Sequence, residues 1–139
     1  MSNLLSFIIP CYRSENTINL VVNEIINTLR EKPSYDYEII CINDCSPDCV
    51  YQKLKDLSHN NPKIKIINLS KNMGKHAAIL AGYHHAKGNF IVNLDDDFQC
   101  PTNELWRLIA PLELGECDIS IAKYTVKKQS AWKKFGSYF

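Results

Sequence analysis

Short apolar runs alternate with helix-periodic segments along most of this 139-residue chain, and that alternation constrains the fold more than any other feature. The runs Leu4–Pro10, Tyr37–Asn43, Ile64–Leu69 and Phe90–Leu94 are expected strands, and Asp118–Ala122 is a short expected fifth. Between them, Ile18, Val21, Val22, Ile25, Ile26 and Leu29 line one helical face, and Val50, Leu54 and Leu57 mark a second helix. His76–Ala86 is alanine-rich, with small residues that allow close approach to a sheet, and Pro101–Leu112 places Leu105, Leu108, Ile109 and Leu112 on one face. The pattern predicts an α/β fold with a mostly parallel sheet flanked by helices and right-handed crossovers. Ligands of such sheets bind beyond the carboxyl ends of the strands.

Composition narrows the class. With 45% hydrophobic and 22% charged residues, six prolines and five glycines, the chain is neither disordered, collagenous nor coiled-coil. Its length suits one domain. No apolar run approaches the about 18–20 residues of a membrane span, and the first residues lack the basic region of a signal peptide. The net charge of +1 hides an asymmetry: Lys123, Lys127, Lys128, Lys133 and Lys134 lie in the last seventeen residues without an acid, which leaves residues 1–122 at −4. An acidic body argues against a nucleic-acid partner. The six cysteines read as free thiols rather than a zinc site, because Pro47 interrupts the spacing of Cys41, Cys45 and Cys49.

Polar residues collect just past the strand ends, at 11–15, 44–48, 70–75 and 95–99. Asp95, Asp96 and Asp97 are the most informative, since three adjacent carboxylates after an apolar strand repel one another unless a cation neutralises them. In extended backbone Asp95 and Asp97 share a side, a two-carboxylate arrangement suited to Mg²⁺ or Mn²⁺ completed by phosphates and water. Asp44 is placed either to accept N–H bonds from a nucleobase or to cap the next helix, and elementary physics favours neither. Lys75 pairs with a phosphate at a helix N-terminus or is simply exposed. His76, His84 and His85 show no ligand spacing. The chain lacks Gly-x-Gly-x-x-Gly after its first strand, a P-loop and a Gly-x-Ser-x-Gly elbow, so phosphate handling rests on metal and side chains.

Four segments together resemble the family-2 glycosyltransferases of GT-A fold, within them the polyprenyl-phosphate glycosyltransferases. They are Phe7-Ile-Ile-Pro-Cys-Tyr12 with Glu15, Glu38-Ile-Ile-Cys-Ile-Asn-Asp44-Cys-Ser46-Pro-Asp48, Asn72-Met-Gly-Lys75-His-Ala-Ala78 with Gly82, and Leu94-Asp-Asp-Asp-Phe-Gln99-Cys-Pro101. The resemblance implies a nucleotide-sugar donor (UDP- or GDP-linked), a divalent Mg²⁺ or Mn²⁺, a lipid-phosphate acceptor and inverting displacement. It further implies that Pro10, Tyr12 and Glu15 shape the nucleoside pocket, Asp44 contacts the base, Lys75 lies near the donor, and Asp96 and Gln99 adjoin it. Asp95 and Asp97 become the catalytic, metal- and diphosphate-holding Asp-x-Asp pair.

The chain departs from the family in having Asn43 before Asp44, where two acids are common, and in stopping at Phe139. The resemblance therefore implies a nucleotide-sugar-binding part over 1–122 and a basic segment over 123–139 leading into acceptor or membrane regions of a longer enzyme at a cytoplasmic membrane face. Trp132, Phe135 and Phe139 fit an amphipathic helix on anionic lipid or a helix packed on further protein. A homo-oligomer is a further partner left open. Competing classes are a nucleotidyltransferase, whose glycine-rich basic loop is absent, a non-catalytic nucleotide-sugar or metal-binding module, and a nucleic-acid metalloenzyme using Glu15, Asp95 and Asp97.

Overall fold

The computed structural model describes residues 3–123, and the chain divides into two units, Met1–Asn103 and Glu104–Phe139. In the first unit, strands β1 (Leu4–Cys11), β2 (Asp36–Asn43), β3 (Ile64–Asn68) and β4 (Phe90–Asn93) form one sheet in the order β3-β2-β1-β4. Every pairing is parallel, with Ile8 opposite both Ile40 and Asn93, and Cys41 opposite Ile66. Helices α1 (Ile18–Leu29), α2 (Val50–Asn60) and α3 (Lys75–His85) make the crossovers. The expected strand and helix positions in this unit are therefore observed, with ends shifted by a residue or so.

The two central strands are mostly apolar because both faces are covered. Leu5, Phe7, Ile8, Ile9, Ile39, Ile40, Cys41 and Ile42 are all buried. On one face α3 brings Ala78 against Ile8, Ile40 and Ile42. A methyl group at Gly82 would lie 2.5 Å from Ile8 Cγ2 and 3.0 Å from Ile42 Cδ1, so glycine sets how closely this helix approaches. Helices α1 and α2 contact each other, and right-handed crossovers put them on the opposite face. There α1 buries Ile18, Val21, Val22, Ile25, Thr28 and Leu29.

A buried polar knot anchors the amino-terminal end of the sheet. Glu38 of β2 accepts hydrogen bonds from Ser6 Oγ and from the Lys87 N–H, both at 2.6 Å, and is paired with Lys65 of β3. Gly88 N–H in turn donates to Ser6 Oγ at 2.8 Å, which ties the α3–β4 connection to β1. Burial pushes the Glu38 carboxyl upward, but the bonds from Lys65, Ser6 and Lys87 outweigh it and hold it below its ordinary value.

The helix expected over Pro101–Leu112 is preceded by a 3₁₀ turn, Thr102–Glu104, and forms as α4 (Leu105–Glu113) in the second unit. Gly115, at φ 68°, ends it, with the Glu116 N–H reaching Pro111 O at 2.9 Å and the Gly115 N–H reaching Leu112 O at 3.1 Å. The fifth strand expected at Asp118–Ala122 is not formed. Alternation there is suggestive, but Ile119 and Ile121 are 76% and 81% exposed, and a strand without a ladder partner gains neither pairing nor burial.

Candidate functional site

The sheet order creates one switch point. From β1 the chain steps outward through β2 to β3, then crosses back to β4 on the other side of β1. In open α/β sheets the ligand crevice lies at such a point, here beyond the carboxyl ends of β1 and β4. The four loops leaving the carboxyl ends of β1, β2, β3 and β4 each hold one residue in left-handed backbone: Arg13 (φ 54°), Cys45 (φ 51°), Gly74 (φ 89°) and Phe98 (φ 60°). Three of these are not glycine, and such conformations persist only where surrounding bonds hold them, commonly at functional sites.

The loop after β1 supplies much of that restraint. Its Tyr12 N–H donates to Asp96 Oδ2 at 2.9 Å, its Arg13 N–H to Ser46 Oγ at 2.7 Å and its Glu15 N–H to Asp48 Oδ2 at 3.0 Å. Glu15 returns a bond, accepting the Cys49 N–H at 2.9 Å. Asp48 also takes Ser46 Oγ at 2.6 Å and the Val50 N–H at 3.3 Å. Burial raises the Asp48 carboxyl, yet these bonds, led by that of Ser46, prevail and lower it. The amino terminus of α2 is thus served by Asp48 and Glu15, and capping of this next helix by Asp44, one of the two sequence readings, is not observed. Asp44 instead is buried and accepts the Met73 N–H at 2.7 Å and the Gly74 N–H at 3.0 Å, fixing the loop that enters α3.

The three acids of the tripeptide take different partners. Asp95 Oδ1 receives Lys75 Nζ at 2.6 Å. Asp96 turns to the β1 side, taking the Tyr12 N–H with its carboxylate and the Thr17 hydroxyl with its carbonyl at 2.5 Å. Asp97 Oδ1 accepts the Gln99 N–H at 3.1 Å in a local turn. The hydrogen bond that Lys75 donates to Asp95 dominates in raising its ammonium above the ordinary value, with the charges of Asp96 and Asp97 adding to it. Among the described residues, Asp95 and Asp97 each have one carboxylate oxygen that takes no hydrogen bond, and hard oxygen donors suit Mg²⁺ or Mn²⁺. Among the described residues no three or more His, Cys, Asp or Glu side chains form a metal cage.

The structure therefore gathers Tyr12, Glu15, Asp44, Lys75, Asp95, Asp96, Asp97 and Gln99 around the carboxyl end of the sheet, with Pro10 buried at the end of β1. It uses the side chains of Glu15 and Asp44 to bind neighbouring loops, and leaves Tyr12 42% exposed, with the Arg13 guanidinium 5.5 Å from its ring centroid. Thr17 has a role that sequence reasoning missed. It sits where a helix cap is usual but makes no side-chain cap bond, giving its hydroxyl to Asp96 instead. All six cysteines are free; Cys11 is buried, and its hydrogen bond with Cys41, followed by burial, holds its thiol well above the ordinary value. Lys127, Lys128, Trp132, Phe135 and Phe139 lie outside the described residues.

Residues 6–138 match the family described as Glycosyl transferase family 2. The chain belongs to this family. Among the relatives of this family-2 chain, a protein named as the glycosyltransferase CsbB of Bacillus subtilis (strain 168) is 40% identical over 112 residues, 81% of this chain and 34% of that protein. The undecaprenyl-phosphate 4-deoxy-4-formamido-L-arabinose transferase of Pseudomonas fluorescens (strain Pf0-1) is 34% identical over 113 residues, 80% of this chain and 33% of that protein. The family-2 chain thus spans about a third of the length of these curated relatives. The crystal structure of S. aureus TarS 1–349 in complex with UDP has a TM-score of 0.63 at 23% identity, over 93% of this chain and 39% of that one. Mannosyltransferase PcManGT from Pyrobaculum calidifontis, in complex with GDP-Man and Mn²⁺, has a TM-score of 0.63 at 17% identity, over 75% and 30%. At such identities the likeness is one of fold, and the fold is GT-A.

Proposed function

We propose that this chain is the nucleotide-sugar-binding part of an inverting glycosyltransferase, and that a UDP- or GDP-sugar lies in the crevice between the loops after β1 and β4. One observation carries the reading: at the switch point, Asp95 paired with Lys75 and Asp97 two residues on each have a carboxylate oxygen unbonded among the described residues, next to a loop whose Tyr12 is open to solvent. Support for a nucleotide comes from the UDP bound by TarS and the GDP-Man bound by PcManGT. The undecaprenyl-phosphate relatives support a polyprenyl-phosphate acceptor.

In this reading Asp95 and Asp97 hold Mg²⁺ or Mn²⁺ with the donor diphosphate, and the bound ion supplies Lewis-acid stabilisation of the leaving diphosphate. Lys75 faces the same anion. Tyr12 borders the nucleoside, and Glu15 and Asp44 shape its pocket by fixing the loops around it. Gln99 closes the turn that orients Asp97. A phosphate acceptor is already an anion, so the displacement needs no protein base to activate it. The basic and aromatic composition of residues 123–139 supports contact with an anionic membrane surface on the cytoplasmic side. Among the described residues no helix is long and apolar enough to cross a membrane.

The test is thermal shift of the chain with UDP-glucose, UDP-N-acetylglucosamine and GDP-mannose, each with and without Mn²⁺. Stabilisation of about 2.7 kcal/mol is expected for the right donor at a hundred times its dissociation constant. Metal-dependent stabilisation by one donor supports the reading and names the base; no shift with any donor in a folded sample removes it. Binding without sugar transfer or donor hydrolysis in a longer enzyme carrying this part would identify a non-catalytic module.

A further inference from the structure

We infer that Asp96 is a positioning residue: its side chain continues the β1–β4 ladder past the point where Pro10 breaks it, and so sets the first loop against the acidic tripeptide. The ladder between these strands runs from Leu5 opposite Phe90 to Ile8 opposite Asn93, and its last rung is the Leu94 N–H donating to Ile8 O at 3.1 Å. In a parallel pair every second residue of a strand faces a given neighbour. The next β1 group on the β4 side is therefore the nitrogen of residue 10, and proline has no hydrogen to give. Pro10 still pairs in register with Ile42, so β1 remains in the sheet on its β2 side while it parts from β4.

The following N–H on the β4 side belongs to Tyr12, and its acceptor is a carboxylate oxygen of Asp96 at 2.9 Å, where a strand would offer a carbonyl. The Asp96 carbonyl is occupied as well, by the Thr17 hydroxyl at 2.5 Å. Both bonds join segments about eighty residues apart in sequence, and they hold the crevice open at a set width. A side chain reaches farther than a carbonyl, so the strands diverge without losing their link. The inference rests on the proposed function for its consequence: Asp96 sets the spacing between the nucleoside side, at Tyr12, and the metal side, at Asp95 and Asp97, without itself binding the metal.

Three variants separate positioning from ligation. Asp96→Asn keeps an acceptor oxygen for Tyr12 but loses the charge; Asp96→Ala loses both; Thr17→Val removes only the second bond. Amide hydrogen exchange, which needs no ligand, should show the Tyr12 N–H protected in the chain and in Asp96→Asn, and exchanging about tenfold faster or more in Asp96→Ala. Calorimetric titration with UDP and Mn²⁺ should give Asp96→Asn within about threefold of the unaltered chain, with Thr17→Val weakened by a similar factor and Asp96→Ala by about tenfold or more. Unchanged Tyr12 exchange in Asp96→Ala would overturn the inference. So would an Asp96→Asn variant that loses metal-dependent UDP binding as completely as Asp97→Asn does, because Asp96 would then be a ligand. If the unaltered chain binds neither UDP nor GDP while Tyr12 exchange still responds to Asp96→Ala, the nucleotide reading fails and the clamp stands.

Discussion

Lys75 Nζ lies 2.6 Å from Asp95 Oδ1, joining the start of α3 to the end of β4. A cation at the first position of a helix opposes the macrodipole, and the Asp95 carboxylate offsets that cost. Both side chains are about half exposed, so the pair adds no more than about 1 kcal/mol to folding. Lys75→Met is therefore expected to leave stability nearly unchanged while weakening UDP binding in Mn²⁺ by about tenfold, through loss of a charge-assisted contact to the diphosphate. Calorimetry and chemical denaturation of the same variant measure the two effects. An unchanged affinity would make Lys75 an ordinary surface ion pair.

Glu38 yields a prediction about pH. Its folded carboxyl lies below its ordinary value because the bonds from Lys65, Ser6 and Lys87 outweigh burial. A depressed carboxyl contributes stability that is complete above its unfolded pKa, about 4.3, and is lost as pH falls through the folded value. Glu38→Gln is expected to cost about 1–3 kcal/mol at neutral pH. That cost should be flat from about pH 6 to 8 and shrink below about pH 4. Urea denaturation of both proteins across this range checks the sign; a cost growing toward acid would contradict it.

Gly82→Ala should destabilise the fold. The added methyl meets Ile8 Cγ2 at 2.5 Å and Ile42 Cδ1 at 3.0 Å, both inside the buried face of the sheet. Overpacking of this kind costs about 1–3 kcal/mol, and the better helix propensity of alanine returns about 1 kcal/mol. A lower denaturation midpoint with an unchanged slope is expected. Because α3 begins at Lys75, weaker UDP binding should accompany it.

The strands and helices of the first unit were legible because each signal is local: apolar runs for β1 to β4, and a repeating face for α1. Asp118–Ala122 shows where that logic stops. Its alternation is genuine, but a strand is made by its neighbour, and these residues have no ladder. The site was legible in the same partial way. Residues past the strand ends could be named, whereas the loop each one reaches depends on the order β3-β2-β1-β4, which brings the ends of β1 and β4 together. Hence Asp44 holds Met73 and Gly74 rather than capping α2. Thr17, with no chemical signature of its own, supports an acidic residue 79 positions away.

The central claim, that donor nucleotide and divalent ion bind together at Asp95 and Asp97, is tested most directly by titrating UDP, and separately GDP, into the chain with and without Mn²⁺. The account predicts that one nucleotide binds at least about tenfold more tightly with the ion present, and that Asp97→Asn abolishes this gain while leaving the fold intact, a change of about 1.4 kcal/mol or more. Nucleotide binding that ignores Mn²⁺, or an Asp97→Asn variant that keeps the full metal effect, would contradict it.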